Sequence, residues 1–240
     1  MTLLERIINT LPPDPIPVRN VIIGVHWTLV SSKNCGLGST MTNQEKSGHQ
    51  KVRDVGMLHQ KTAQELASWI FSDNLLEASI GIAAINSLLD VEDRKFNINA
   101  SEVIAKESEG KNLVVVGHFP FVDRMKSIAK NCWVIEKRPF KDDFPEEAAI
   151  EFIPQADVIA ITGTAFINHT METLLSMCPE KSIVMVLGPS TPLLPLLFEY
   201  GITYLSGTQI VDELAAITSI QQGASFQQVR GTRLVTMMKR

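Results

Sequence analysis

The chain has 240 residues, 45% of them hydrophobic and 20% charged, with a formal net charge of −4. This is the composition of an ordinary soluble protein, long enough for one large domain or two modest ones that each bury a core. The charge balance and the lack of a Lys/Arg stripe argue against nucleic acid as a partner, and no apolar run is long enough to span a membrane.

The opening MTLLERIINTL places Leu3, Leu4, Ile7, Ile8 and Leu11 on one helical face. It has no basic start and no cleavage site, so it reads as a core-packing helix and not as a signal peptide. PDPIP then breaks the chain. Val18–Val25 and Trp27–Ser31 are rich in β-branched residues and predict two hairpin-paired strands with a break near His26. A polar loop follows, carrying Lys46, Lys51 and Arg53 just after Lys33, and a third short strand is expected near Val52–Met57. KTAQELASWIF predicts a helix with Leu66, Ile70 and Phe71 as its apolar stripe. NLLEASIGIAAINSLL is apolar nearly all round and predicts a buried helix. Strands first and helices after make a small α+β unit.

Asp90–Ala100 is charged and aperiodic, a linker that divides the chain into domains 1–92 and 93–240. Beyond it strands and helices alternate. The expected strands are Leu113–Val116, Cys132–Glu136, Val158–Ile161, Ile183–Leu187 and Thr203–Leu205. The expected helices are Phe121–Lys130, Glu146–Glu151, Phe166–Met177, Leu193–Tyr200 and Gln209–Ser219. Continuous apolar strands alternating with helices predict an α/β fold with a Rossmann-like, doubly wound parallel sheet.

Ligands of such sheets bind beyond the carboxyl ends of the strands. The turns there read GHFP, EKRP, TGTAFIN, GPSTPL and SGTQ. After the first strand only Gly117 stands where a dinucleotide fingerprint needs three glycines, and Pro120 removes a donor, so NAD or FAD is not expected. Glu136 ends the second strand where nucleotide-binding folds place an acid against ribose hydroxyls; the plainer reading is a surface acid pairing with Lys137 or Arg138. Thr162 and Thr164 flank Gly163, with Thr164 a candidate cap and Asn168 one turn on. After Gly188, Ser190 or Thr191 is a natural N-cap with Pro192 at the first helical position, and the free N–H groups of that turn would make an anion site. Each of these turns is also explicable as capping alone.

His118, at the mouth of the first strand, has the chemistry of an acid, a base or a metal ligand. His26 is a hairpin residue, His49 and His59 flank the polar loop, and His169 neighbours Asn168. No H-x-x-H, H-E-x-x-H or C-x-x-C spacing unites them, so the metal ligands, if any, are unknown. Cys35, Cys132 and Cys178 are odd in number and widely spaced, which fits a reducing cytoplasm. Cys35 beside Gly36 is either a reactive thiol or a small buried hydrophobe. There is no G-x-S-x-G and no Walker A sequence.

Taken in order, EASIGIAAINS (77–87), VVVGHFP (114–120), ADVIAITGTAFINHT (156–170), LGPSTPLLPLLFEYG (187–201) and LSG followed by Asp212 resemble the heavy-metal chelatase family, and CGLG (35–38) resembles its small preceding domain. The likeness spans nearly the whole chain. It implies an enolase N-terminal-like domain followed by a Rossmann-like domain, with an active site in the cleft between them. The enolase likeness concerns the small domain's fold only. The roles it implies are heavy-metal chelation, or condensation or hydrolysis of pterin-, flavin- or siderophore-like molecules. It also implies cleft walls at Asn34–Gly38 (with Asn34 and Gly36), on the helix carrying Glu77, Ser79 and Asn86, and at His118, Glu136, Thr164 and Ser190. His118 and Glu136 are then the candidate catalytic residues. Gly117, Thr162, Asn168, Gly188 and Thr191 join the ligand-binding set. The expected partner is a small molecule or metal chelate. A divalent heavy metal, a homo-oligomer, a non-catalytic metal or metallophore carrier or sensor and, resting on Glu136 and fold analogy alone, a Rossmann-type methyltransferase all stay open.

Overall fold

A computed structural model describes residues 1–43, 51–90, 95–96 and 99–239. Lys46, His49 and most of the expected linker lie outside the described residues.

The first unit begins with α1 (Leu3–Asn9), where Thr2 and Glu5 cap each other reciprocally. Then β1 (Asn20–Ile23), β2 (Trp27–Ser31) and β3 (Cys35–Ser39) form a three-stranded antiparallel sheet in that order. The third strand is therefore CGLGS and not the expected Val52–Met57, whose residues 53–56 form a turn with Asp54 and Gly56 at φ 52° and +89°. Two glycines make β3 look like a loop; they are there because the strand lies directly on a helix. α2 (Ala63–Ala67) runs into a 3-10 turn at Ser68–Phe71, and α3 (Leu75–Leu88) follows. Leu66 and Ile70 are buried as the periodicity predicts, but the 3-10 turn rotates Phe71 outward, where it is 46% exposed.

The second unit runs β4 (Lys95–Phe96), α4 (Ala100–Ser108), β5 (Asn112–Val116), α5 (Val122–Ile128), β6 (Asn131–Glu136), β7 (Phe144–Pro145) and α6 (Ala149–Phe152). It continues with β8 (Val158–Thr162), α7 (Thr164–Ile167), α8 (Met171–Ser176), β9 (Ile183–Leu187), β10 (Ile202–Ile210), α9 (Glu213–Gln221) and β11 (Thr232–Met238). The eight strands lie in the order β4-β11-β10-β9-β8-β5-β6-β7. From β10 to β7 every pairing is parallel, while β11 runs antiparallel to β10 and β4 antiparallel to β11. One half winds outward as β5-β6-β7 and the other as β8-β9-β10, so the order reverses between β5 and β8. This is the doubly wound arrangement with its switch point at that pair. Sequence patterning misses α4, whose charged residues mask Ile104 and Ala105, and β11. It also places the helix after β10 four residues early; that helix starts at Glu213, where the Asp212 carboxylate accepts from Ala215 N (3.0 Å).

Alternate residues of the parallel strands face opposite layers, as the pleat requires. Val114, Ile159, Ile161, Val184 and Val186 join one core with Phe166 and Leu174, whereas Leu113, Val115, Val134, Ala160 and Met185 pack with Ile104, Val122 and Met125 of α4 and α5. The first core continues into α3 of the first unit, and Ala216 and Ile220 of α9 pack against Leu29 and Leu37. Apolar burial thus holds the units together at two places. Polar bonds set the seam between them: Ser39 N donates to Ser190 Oγ (2.8 Å), Asn86 Nδ2 to Pro189 O (3.3 Å), and Arg19 pairs with Glu213 (2.7 Å).

Candidate functional site

The carboxyl ends of β5, β8, β9 and β10 open into a cleft of about 1010 Å³, closed on one side by Trp27 and Ser39 of the first unit. Among the described residues that line it, His118 is the only one with a titratable side chain. The rest of the wall is uncharged: hydroxyl groups such as Ser190, Ser206 and Thr208, the amides of Asn99 and Gln227, aromatic rings, and aliphatic side chains such as Leu187, Leu234 and Val235. Phe119 stacks on Phe121 at 5.1 Å, and Trp27 tilts against Phe226 at 5.5 Å while its indole N–H donates to Ala224 O. A second hollow of about 860 Å³ is lined by Gly117, Glu136, Asn168 and His169. Thr162 and Thr164 line both, their hydroxyls 3.0 Å apart.

Gly117, at φ +102°, turns the chain sharply after β5, a conformation that other residues adopt only with strain. His118 N then donates to Glu136 Oε1 (2.8 Å), and Lys137 N donates to the other carboxylate oxygen (3.0 Å). Glu136 is therefore first of all a brace across the ends of β5 and β6. The His118 imidazole is about half exposed, and its Nδ1 lies 3.0 Å from Asp143 Oδ2, on a side chain only 2% exposed. The turn before Asp143 is built around this contact: Phe140 N donates to the same oxygen (3.3 Å), the Phe140 ring stands edge-on to the imidazole, and Lys141 adopts φ 55°.

Of the expected site residues, His118, Thr162, Thr164, Gly188 and Ser190 line the larger cleft, and Gly117, Glu136 and Asn168 the smaller hollow. Asn34, Gly36, Glu77, Ser79, Asn86 and Thr191 line neither. Asn34 Nδ2 donates to Leu89 O (3.0 Å), and Ser79 Oγ donates to Leu75 O (2.7 Å) while accepting from Met41 N (3.0 Å). Asn86 Nδ2 also donates to Leu37 O (2.9 Å). These polar groups on an apolar helix are spent on holding strands and seam. Asn168 Oδ1 accepts from the backbone and hydroxyl of Thr170.

Two capping expectations are corrected. The stretch after Gly188 does not start a helix at Pro192: residues 191–194 have no regular secondary structure, and a 3-10 helix begins at Pro195 with no side-chain cap. Leu193 and Leu197 are drawn into the core on either side of that start. Ser190 Oγ instead binds Ser39 N and Ser39 Oγ, so no helix N-terminus faces the cleft here to attract an anion. At β8, Thr164 lies inside α7, and its N–H is taken by Thr162 Oγ1 (3.3 Å).

The thiols are structural. Burial pushes Cys35 and Cys178 up to about 12 and Cys132 up to about 11, so Cys35 does not have the character of a reactive thiol. Iodoacetamide at about pH 8 should therefore label all three far more slowly in the folded chain than in urea, as mass spectrometry would show. Equal labelling in the two states would contradict this. Among the described residues no three His, Cys, Asp or Glu side chains come together where they would hold one metal ion. The donor set does not fit a resident metal held by protein side chains alone. Asp143, the ring partner of His118, is missed by sequence reading; in KDDF it looks like part of a solvated charge run, and only the folded turn buries its side chain.

These features define a class: an α/β protein with a doubly wound sheet whose switch-point cleft is walled by a small α+β unit. The chain belongs to the DUF364 family, whose model, described as "Putative heavy-metal chelation", matches residues 99–239; the DUF4213 model, with the same description, matches residues 4–89. It is 28% identical over 207 residues to an uncharacterized protein of Methanocaldococcus jannaschii, covering 81% of this chain and 78% of that protein. A crystal structure of a DUF364 protein of unknown function from Desulfitobacterium hafniense superposes with a TM-score of 0.87 at 26% identity, covering 99% of this chain and 98% of that one. Another DUF364 protein, from Pyrococcus horikoshii, shares the fold at a TM-score of 0.81 and 18% identity, covering 98% of each chain. Among the described residues no helix is long and apolar enough to cross a membrane.

Proposed function

We propose that the chain is a cytoplasmic small-molecule-handling protein. Its domains, 1–92 and 93–240, enclose a flat polar heterocycle or metal-chelating molecule of pterin, flavin or siderophore type in the larger cleft. The observation that carries this reading is the wall chemistry: aromatic faces, aliphatic side chains and uncharged hydroxyl and amide groups around His118, the single titratable residue among the described ones that line it. Such a wall suits an uncharged or weakly acidic ring better than a phosphate, which calls for cationic side chains or a helix N-terminus. The position, beyond the strand ends at the switch point, is where open α/β sheets take ligands. In this reading His118 transfers protons, in condensation or hydrolysis of the ligand. Thr164 and Ser190 shape the wall, and Glu136 holds the His118 loop while its remaining acceptor capacity faces the smaller hollow.

The family description favours metal as cargo, and a non-catalytic carrier of a metal chelate is the second reading. Since no three protein donors cluster among the described residues, in this reading the organic ligand supplies most of the metal's donors.

Pterins, flavins and catechol-type chelators, each added in excess, should raise Tm for at least one class. Trp27→Ala should weaken that binding by about tenfold, or ~1.4 kcal/mol, because it removes an aromatic wall. No Tm change with any of the three classes would defeat the proposal.

A further inference from the structure

The contact between His118 and Asp143 has a chemical consequence for a ligand of the kind just proposed, and the inference rests on that reading. Asp143 is acceptor-only when ionised, and its Oδ2 faces His118 Nδ1 at 3.0 Å, so in the neutral imidazole the ring proton sits on Nδ1. Nε2 is then left with its lone pair. It has no hydrogen-bond partner among the described residues, on a residue that lines the cleft. The arrangement is a base held in one tautomer by a buried carboxylate, the relation that a catalytic histidine has to its orienting acid.

We infer that His118 is the proton acceptor for metal entry into the bound chelator. A chelator loses the proton from each N–H or O–H donor as the metal takes its place. In the step, a ligand N–H or O–H bond breaks, its electron pair forms the bond to the incoming divalent ion, and the proton goes to His118 Nε2. Neutral imidazole becomes imidazolium, and the Asp143 carboxylate beside it offsets the new charge. The half-exposed ring passes the proton to water and returns for the next, so two protons leave one at a time. Among the described residues, the charged groups hydrogen-bonded to His118 are Asp143 at the ring and Glu136 at its backbone N–H. Asp143 is thus a positioning residue, and the protein supplies a base where the ligand supplies the donors. Metal release would run the same step backwards.

Two measurements test this on the full chain. In ¹⁵N NMR of the neutral ring, His118 should show a protonated Nδ1 and a bare Nε2, and Asp143→Asn should abolish that preference. For the second, 8-hydroxyquinoline is the probe, a flat N,O chelator with one ionisable O–H. Its binding is followed by Tm, and its loading with Zn²⁺ by fluorescence. The wild type should accelerate loading. Asp143→Asn and His118→Gln should lose most of that acceleration, on the order of tenfold or more, while still binding the probe. An Nε2-protonated His118, or probe binding with a loading rate equal to that in buffer, overturns the inference and leaves ligand binding intact. If 8-hydroxyquinoline fails to bind while the pterins, flavins and catechols also fail, both readings fall. If it fails while one of those binds, the chelator-loading inference alone falls.

Discussion

Replacing Gly36 by alanine should leave little folded protein at ordinary temperature. A Cβ there would lie 2.1 Å from Ala83 O, 2.3 Å from Ser87 N and 2.7 Å from Asn86 C, all backbone atoms of α3. No rotamer change relieves a collision with backbone, so strand and helix would have to part. The helix has nowhere to go. On another side, Gly81 is packed so closely that its own Cβ would sit 2.3 Å from Ile70 N. Between them Ile80, Ile82, Ala83, Ala84 and Ile85 are fully buried. Overpacking usually costs about 1–3 kcal/mol, and a clasped backbone contact belongs at or beyond the upper end, roughly 3 kcal/mol or more. Gly201→Ala provides the comparison. That glycine has φ +82° but open space around it, so only the left-handed strain of about 1–2 kcal/mol is expected. Urea unfolding of both variants would rank them, and equal losses would show that β3 does not press on α3 as described.

Glu77→Gln should cost roughly 2–3 kcal/mol near neutral pH, with the part that depends on the carboxylate charge disappearing in acid. The carboxylate is 5% exposed and takes Arg53 N and Nε at 2.9 Å each and Ser72 Oγ at 2.7 Å. It thereby ties the 51–57 segment to the start of α3, where an acid also meets the favourable end of the helix dipole. Arg53 is held in turn over the Trp69 ring at 4.7 Å. Burial alone would raise this carboxyl, but the hydrogen bonds from Ser72 and Arg53 outweigh it and hold it below the ordinary value of 4.5. A depressed carboxylate stabilises the fold above its unfolded value. That contribution is present in full above about pH 5 and is lost as pH falls below 4.5 through the folded value. Urea midpoints at about pH 7 and about pH 3 check the sign; a variant deficit that grows in acid would be inconsistent with it.

The rhythm of the chain is enough to read its architecture because burial leaves a period behind. Continuous apolar runs such as LVVV and VIAI can satisfy both faces only between two helical layers, which is why the parallel sheet is legible in the sequence. Where the reading fails, a local signal is overruled by a distant contact. CGLGS lacks strand formers, yet Gly36 and Gly38 are required by the helix packed on them. STPL carries every mark of an N-cap, yet Leu193 and Leu197 are claimed by the core and Ser190 by Ser39. Glu77, Ser79 and Asn86 stand out as polar groups on an apolar helix, but what they satisfy is backbone on neighbouring elements.

By itself the sequence determined the two-part organisation and the doubly wound sheet, because each follows from residue type and short-range period. It also singled out His118. Only the tertiary structure decided what surrounds His118. Asp143 is 25 residues away in the chain, on an ordinary charged turn, and becomes its partner when β6 and β7 bring that turn beside the mouth of β5. Tautomer and exposure are properties of such long-range neighbours, and no local pattern encodes them.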